Sequence, residues 1–387
     1  MKVVQKLYKN GEFTKAAGDQ LTGKGNLLVL GFGAKNLLEE DDIYTKLKES
    51  YPTGDIVLCS TSGEIYDDVV SDNTVSVVAI EFEKTKIKTV SININDVPSS
   101  FEAGKTLFNQ FNEKDLAYVL IISDGGLVNG SELVRGVEKV NINKIPVTGG
   151  LAGDADKFTY TVVGCNDTPA IGNIAAVGFY GKSLKIGHGS FGGWEIFGPE
   201  KRVTRSVSNR VFEIDHKSAL ELYKQYLGKY ANELPGSALL FPLNVRNEDN
   251  TSSVVRTILS IDDDEQSMVF AGDVPEGSYI RFMKANFDKL IDAATLAAVN
   301  SIMQFHDAID AKPKLALLIS CVGRKLILGK RIDEEIETIK EVFGEGTLLS
   351  GFYSYGEISP LTPSAQCQLH NQTMTITTFN EDIDSDD

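Results

Sequence analysis

The chain is 387 residues long, 42% hydrophobic and 24% charged, with a formal net charge of −16. This composition is that of a globular protein long enough for two domains. The acidic balance argues against recognition of nucleic acid through its phosphates. No apolar run is long enough to cross a bilayer. The opening Met1-Lys2-Val3-Val4-Gln5-Lys6 lacks the apolar core of a signal peptide, so a cytoplasmic protein is expected. Cys59, Cys165, Cys321 and Cys367 are widely spaced with no Cys-x-x-Cys pair. Reduced, buried thiols are therefore expected rather than zinc ligands or a disulfide framework.

In chain order, residues 27–64 align without gaps to residues 117–154. The apolar run Leu27-Leu28-Val29-Leu30 falls on Ala117-Tyr118-Val119-Leu120. A helical stripe (Leu37, Ile43, Tyr44, Leu47) falls on Leu127, Leu133, Val134 and Val137. Val57 falls on Val147, and Gly63-Glu64 on Gly153-Asp154. After each copy two strand-like runs flank a short polar turn, 77–82 with 86–90 and 175–179 with 184–186, which reads as a hairpin. A helix follows each, at about 100–112 capped by Ser99 or Ser100, and at about 215–227 capped by Asp215. The repeated unit is thus strand, helix, strand, loop, hairpin, helix. Further on, 238–241 reads as a strand, and 267–270 with 279–283 as another hairpin. A long helix runs from Asn286 to about His306. An apolar strand follows at 315–319, then a helix capped by Asp333, a strand at 347–350 and a last strand at 374–379. Crossover helices imply parallel pairs and hairpins imply antiparallel ones. The fold class is therefore α/β (α+β mixed), with mixed sheets covered by helices; a layered α-β-β-α sandwich would bury both kinds of run. The Gly-rich run from Gly187 to Gly193, with Trp194 after it, is a candidate crossing between halves.

Three small-residue loops recur after strands: Ser60-Thr61-Ser62-Gly63-Glu64-Ile65, Gly149-Gly150-Leu151-Ala152-Gly153-Asp154 and Phe352-Tyr353-Ser354-Tyr355-Gly356-Glu357-Ile358. Such loops present backbone N–H groups at strand ends, where ligands of sheets with helical crossovers sit. The alternative is three tight turns whose glycines adopt positive φ and whose carboxylates cap local N–H groups.

These loops, together with Val203-Thr204, Val274-Pro275-Glu276-Gly277, Cys321-Val322-Gly323-Arg324 and His370-Asn371-Gln372-Thr373, give the chain its resemblance to the FIST sensory proteins. The matches run in order along nearly the whole chain. The resemblance implies an N-terminal FIST domain (1–205, with internal repeats 27–112 and 117–229, the latter extending into a linker helix). It implies a C-terminal FIST domain at 206–380, leaving an acidic disordered tail at 381–387. It further implies a bacterial signal-input module that binds a small ligand, amino acids having been proposed. Such a module acts through a histidine kinase, diguanylate cyclase or chemotaxis-type partner. A haem-based gas-sensing role is the alternative that the same family brings in. Asp215-His216 departs from the family's Asp-Gly at the interdomain helix.

The ligand-binding candidates are Ser60, Thr61, Ser62, Glu64, Gly150, Asp154, Cys321, Arg324, Tyr353, Tyr355 and Glu357. Arg324 follows a strand and a glycine, and a guanidinium holds a carboxylate bidentately. Glu64, Asp154 or Glu357 can accept from an ammonium group. Tyr353 and Tyr355, two apart, would face one side of a strand. No catalytic or metal residues are assigned. A hydrolase or transferase using Cys59 or Cys321 is a further alternative, although no G-x-S-x-G and no Walker-type loop is present. Haem would need an axial ligand such as His188, His306 or His370; no cofactor is otherwise expected.

Overall fold

A computed structural model describes residues 1–112, 114–234, 236–248, 253–304, 312–360 and 366–382. The sequence repeat is a structural repeat, and it occurs three times. Parallel strands Asn26–Gly33 and Asp55–Ser60 are joined over helices Lys35–Glu40 and Ile43–Ser50. Leu116–Ser123 and Val147–Leu151 are joined over helix Gly130–Val140. Leu315–Cys321 and Leu348–Ser354 are joined over helices Val322–Leu328 and Ile332–Phe343. In each unit a third strand lies antiparallel on the other side of the first: Val75–Phe82, Asn173–Tyr180 and Met374–Glu381.

The next strand of each unit leaves for a neighbouring sheet, so the two expected hairpins do not form. Lys86–Asn93 pairs with Asn173–Tyr180, and Leu184–Phe191 pairs with Met374–Glu381. Lys2–Lys9 closes the circle on Val75–Phe82. The turn after Val75–Phe82 shows why. Its N–H groups at Glu83, Lys84 and Thr85 donate to the Glu381 carboxylate (2.8, 2.8 and 2.6 Å) rather than across a hairpin. The same carboxylate meets the Met1 ammonium at 3.0 Å. Three carboxylate-bound N–H groups also hold the Glu381 acid low, to about 2, against the opposing effect of burial. Glu381 is therefore the last residue of a strand and not the start of a free tail; residues 383–387 lie outside the described residues.

The second strand of each unit is edged in the same cyclic way. Glu64–Tyr66 adds to Leu348–Ser354, Val163–Cys165 to Asp55–Ser60, and Gly356–Pro360 to Val147–Leu151. Alternate residues of the three central strands enter one shared core: Leu28, Leu30 and Phe32, then Tyr118, Leu120 and Ile122, then Leu315, Leu317 and Ile319. The outer faces, carrying Val29, Val119 and Leu318, pack under helices. Between any two units the layers run helix, sheet, sheet, helix. The glycines of 187–193 serve close approach: a Cβ at Gly187 or Gly189 would lie 1.8 or 2.1 Å from a carbonyl of helix Phe287–Met303.

Residues 195–284 build a fourth, antiparallel sheet with its own core around Val203, Tyr223, Phe270 and Phe282. A boundary at 205 falls inside its strand Glu195–Val207. The third hairpin is also replaced: Ser267–Phe270 pairs with Arg210–Ile214 and Ile258–Asp262, while Tyr279–Lys284 pairs with Glu195–Val207 and Leu243–Arg246. Gly236–Leu240 is a 3₁₀ turn where a strand is expected. Helix Ala219–Leu227 is capped by Ser218, whose hydroxyl accepts the Glu221 N–H at 3.2 Å. Asp215 instead sits with His216 in a positive-φ turn. Asp333 lies in the first turn of Ile332–Phe343, which starts after Arg331. Asn286 caps Phe287–Met303 as expected, and His306 lies outside the described residues.

Candidate functional site

The fold brings the three loops to one junction and locks them with main-chain hydrogen bonds. The Ser62 N–H donates to Tyr353 O (2.8 Å) and Tyr353 N–H to Gly63 O (2.8 Å). Gly153 N–H donates to Ser60 O (2.9 Å), and Tyr355 N–H to Leu151 O (3.2 Å). Gly150 sits opposite Glu357 in the sheet. The junction is solid: Ser60, Thr61, Ser62, Glu64, Asp154, Cys321, Arg324, Tyr353 and Glu357 are all buried.

The two loop glutamates have the same task. Glu64 accepts from the Thr61 hydroxyl (2.5 Å) and from the N–H and hydroxyl of Thr74 (3.1 and 2.9 Å). Glu357 accepts from the Ser354 hydroxyl (2.6 Å) and from the N–H and hydroxyl of Thr373 (3.2 and 2.9 Å). Thr74 and Thr373 immediately precede the third strands of their units, so each glutamate staples its loop to that strand. Burial pushes both acids up, Glu64 to about 7 and Glu357 to about 8. In the middle unit Asp124 takes this part, accepting the Gly172 N–H at 3.1 Å. That frees Asp154 to pair with Lys35 at 2.9 Å and to accept from Thr159. Of the glycines that precede the loop carboxylates, Gly63 has positive φ (138°) while Gly153 and Gly356 do not; Gly149, at the start of the second loop, also has positive φ (157°).

Arg324 does not offer the open fork expected of a carboxylate clamp. Its Nε and Nη2 meet Glu335 at 2.8 and 2.6 Å, and Gly192, Leu290 and Gln372 carbonyls take the remaining donors at 2.6, 2.7 and 3.4 Å. Tyr353 and Tyr355 do not share a side, because the strand ends at Ser354 and the chain bends. The Tyr353 hydroxyl turns inward and donates to Glu335 at 2.9 Å. Tyr355 faces outward and stacks on Phe158 at 4.6 Å. Burial drives the Cys59 and Cys321 thiols far up, opposite to what a nucleophile needs. His188 and His370 are buried, and burial lowers both imidazoles, His370 to about 4; the His370 ring lies 2.9 Å from the Ser359 carbonyl. Among the described residues no group of three His, Cys, Asp or Glu is placed to hold a metal. No described helix is long and apolar enough to cross a membrane.

Open space lies in the seam between the three-unit ring and the fourth sheet. The larger cleft, ≈ 640 Å³, is bounded by helix Gly130–Val140 (Ser131, Arg135, Glu138), the fourth sheet (Val254, Arg256, Asp273) and strand Cys367–His370. Arg256 is the residue that the sequence reading missed. It is only 6% exposed, yet its donors go to the carbonyls of Asp273, Val255 and Leu369 (3.0, 3.3 and 3.0 Å). No carboxylate among the described residues lies within ion-pair distance of it. Burial pulls its guanidinium down to about 10, with the charge of nearby Asp273 opposing, so it remains a cation at neutral pH. Glu138, half-buried across the cleft, accepts the Cys367 N–H at 3.2 Å, and burial holds its carboxyl above the ordinary range. A smaller cleft, ≈ 350 Å³, lies along the same seam and takes in Leu151 and Tyr355 from the loop junction.

The model of the FIST N domain matches residues 27–217 and that of the FIST C domain matches residues 219–360. The chain is also similar to "Uncharacterized protein MJ1623" of Methanocaldococcus jannaschii, 23% identical over 357 residues, covering 83% of this chain and 65% of that protein. The chain thus spans just under two thirds of that relative's length. The chain belongs to the FIST family, whose domains are associated with sensory roles in signal transduction.

Proposed function

We propose that this chain is a sensor for a small zwitterion of the amino-acid class, bound in the larger cleft. The observation that supports this reading is Arg256: a buried cation, lining a cleft, with carbonyls for hydrogen-bond partners and, among the described residues, no carboxylate in ion-pair contact, Asp273 acting on it only from farther off. A ligand carboxylate would supply the missing ion pair at Nη2, the nitrogen that serves none of those carbonyls. Glu138, on the opposite wall, suits the ligand ammonium. The binding role first assigned to the loop residues is recast: Ser60, Thr61, Ser62, Glu64, Gly150, Asp154, Cys321, Arg324, Tyr353 and Glu357 hold the seam's ring side rigid, and Tyr355 reaches the smaller cleft. Because the larger cleft's walls come from the ring and from the fourth sheet, occupancy favours one relative placement of the two. A ligand that distinguishes two placements shifts their populations. A histidine kinase, diguanylate cyclase or chemotaxis-type receptor would read that shift at a docking surface.

The test is calorimetric titration with the common amino acids, each beside its amide and its decarboxylated amine. The reading expects at least one amino acid to bind while its amide and its amine do not. Glu138→Gln, on a helix face that can accept it, should weaken binding by roughly thirtyfold, about 2 kcal/mol for a desolvated charge pair. Arg256→Gln should abolish it. Equal binding of an amino acid and its amide would remove the carboxylate from the argument and the reading with it.

A further inference from the structure

The smaller cleft differs in chemistry from the larger one. Its walls are Gly125 to Asn129, Phe158 to Thr161, and Asn209, Leu259 and Phe270 to Gly272 of the fourth sheet, with Leu151 and Tyr355 at the back. Among the described residues no Asp, Glu, Lys, Arg or His lines it. Large apolar side chains are left in water there: Leu127 is 56% exposed, Phe158 46% and Leu259 42%. Apolar exposure that converges on a concave surface marks a binding site, where scattered exposure does not.

A second observation is independent of the cavity. Phe158 has φ +51° and Ala155, three residues earlier, also has φ +51°. A bulky aromatic residue in the left-handed region is a strained backbone that persists only where its surroundings over-determine it. Here they do. The Tyr355 hydroxyl accepts the Phe158 N–H at 3.1 Å and donates to the Ala155 carbonyl at 3.4 Å. The two rings stack at 4.6 Å with 17° between their planes. Lys35 fastens the same segment from outside, pairing with Asp154 at 2.9 Å and lying 3.4 Å over the Tyr160 ring. All this restraint holds an aromatic side chain half in solvent beside a cleft.

We propose that the smaller cleft is a second ligand site, taking a small neutral aromatic molecule against the Phe158–Tyr355 pair. The ligand is neutral because the lining offers no countercharge, and it is aromatic because stacked rings and aliphatic walls reward a flat apolar body. The proposal goes beyond the amino-acid reading and stands whatever the larger cleft binds. The wall between the two clefts links them: the Asn129 amide donates to Asp273 at 3.1 Å, and the Asp273 N–H donates to the Ser131 hydroxyl at 3.3 Å. Asn129 faces one cleft, while Ser131 and Asp273 face the other.

Indole is a suitable probe, with indole-3-acetate as its charged counterpart. Titration should saturate with indole, shift the methyl resonances of Leu127 and Leu259, and show at least tenfold weaker binding of indole-3-acetate. Phe158→Gly removes the ring and relieves the positive φ, so the variant should melt no lower than wild type while losing at least tenfold in indole affinity. Leu259→Glu, on the exposed edge of the fourth sheet, should do the same to binding. The proposal is overturned if indole does not saturate, if Phe158→Gly binds it as wild type does, or if indole-3-acetate binds equally well.

Discussion

Replacing Arg324 with Met separates a structural strut from a ligand clamp. The wild-type guanidinium and the Glu335 carboxylate are both fully buried and 2.6 Å apart. Removing the arginine leaves a buried carboxylate with only the hydroxyls of Tyr353 (2.9 Å) and Ser320 (3.3 Å). It also leaves the carbonyls of Gly192 and Leu290 without this donor. Breaking one side of a buried pair costs about 3–5 kcal/mol, because an uncompensated charge stays behind. Arg324→Met should therefore lower the unfolding free energy at pH 7 by that amount, read as a lower urea midpoint at unchanged m. The double variant with Glu335→Gln, which removes the stranded charge, should regain roughly half of the loss. A single variant that loses less than about 1 kcal/mol yet no longer binds ligand would refute this reasoning and make Arg324 the clamp.

Two other predictions concern the loops and the seam. Glu64 and Glu357 have folded-state acids raised from 4.5 to about 7 and about 8. A raised acid favours the native state while it is protonated. This contribution is therefore complete below about pH 4.5 and is lost as the pH rises through 7 to 8. Glu357→Gln, which keeps the shape of the protonated acid, should flatten the decline in urea midpoint between pH 5 and 8; an unchanged slope would mean that Glu357 does not titrate there. Helix Gly130–Val140 bounds the larger cleft, and within the ring its Gly136 meets helix Ser100–Phe108 so closely that a Cβ would lie 2.0 Å from the Phe101 carbonyl. Gly136→Ala should therefore destabilise by about 1–3 kcal/mol, against a helix-propensity gain of about 1 kcal/mol. A stabilised variant in thermal melts would show that the two helices can part.

What was legible in the sequence was what is local. Strand, crossover helix, strand and loop appear in each unit because apolar period and turn chemistry are written within some forty residues. The partner of each outgoing strand was not legible. Lys86–Asn93 carries an amphipathic pattern that any open sheet edge satisfies, and its true edge lies some eighty residues on. The three loops do meet, but the same residues that suit a ligand also suit interlocked turns, and only burial distinguishes the two. The two buried arginines differ in how far their surroundings can be read from sequence. Glu335 lies on the apolar face of its helix beside Ile336 and Ile339, and an acid in that position needs a buried cation. This was the available sign that Arg324 was already taken. Arg256 ends a short strand after Val254 and Val255 with no such companion nearby, and nothing but the tertiary seam marks it.

The cyclic exchange of strands has a consequence for how the molecule is made. Each sheet of the ring is completed by a strand grown elsewhere, and the earliest, Lys2–Lys9, flanks a turn that is held by Glu381 near the other end. During synthesis Asp55–Ser60 of the first unit therefore waits with an open edge until Val163–Cys165 has emerged, and Leu184–Phe191 waits for Met374–Glu381. Long sequence separation between partners slows folding and leaves such edges available to the wrong neighbour. Half of the chain expressed alone inherits an unfinished ring.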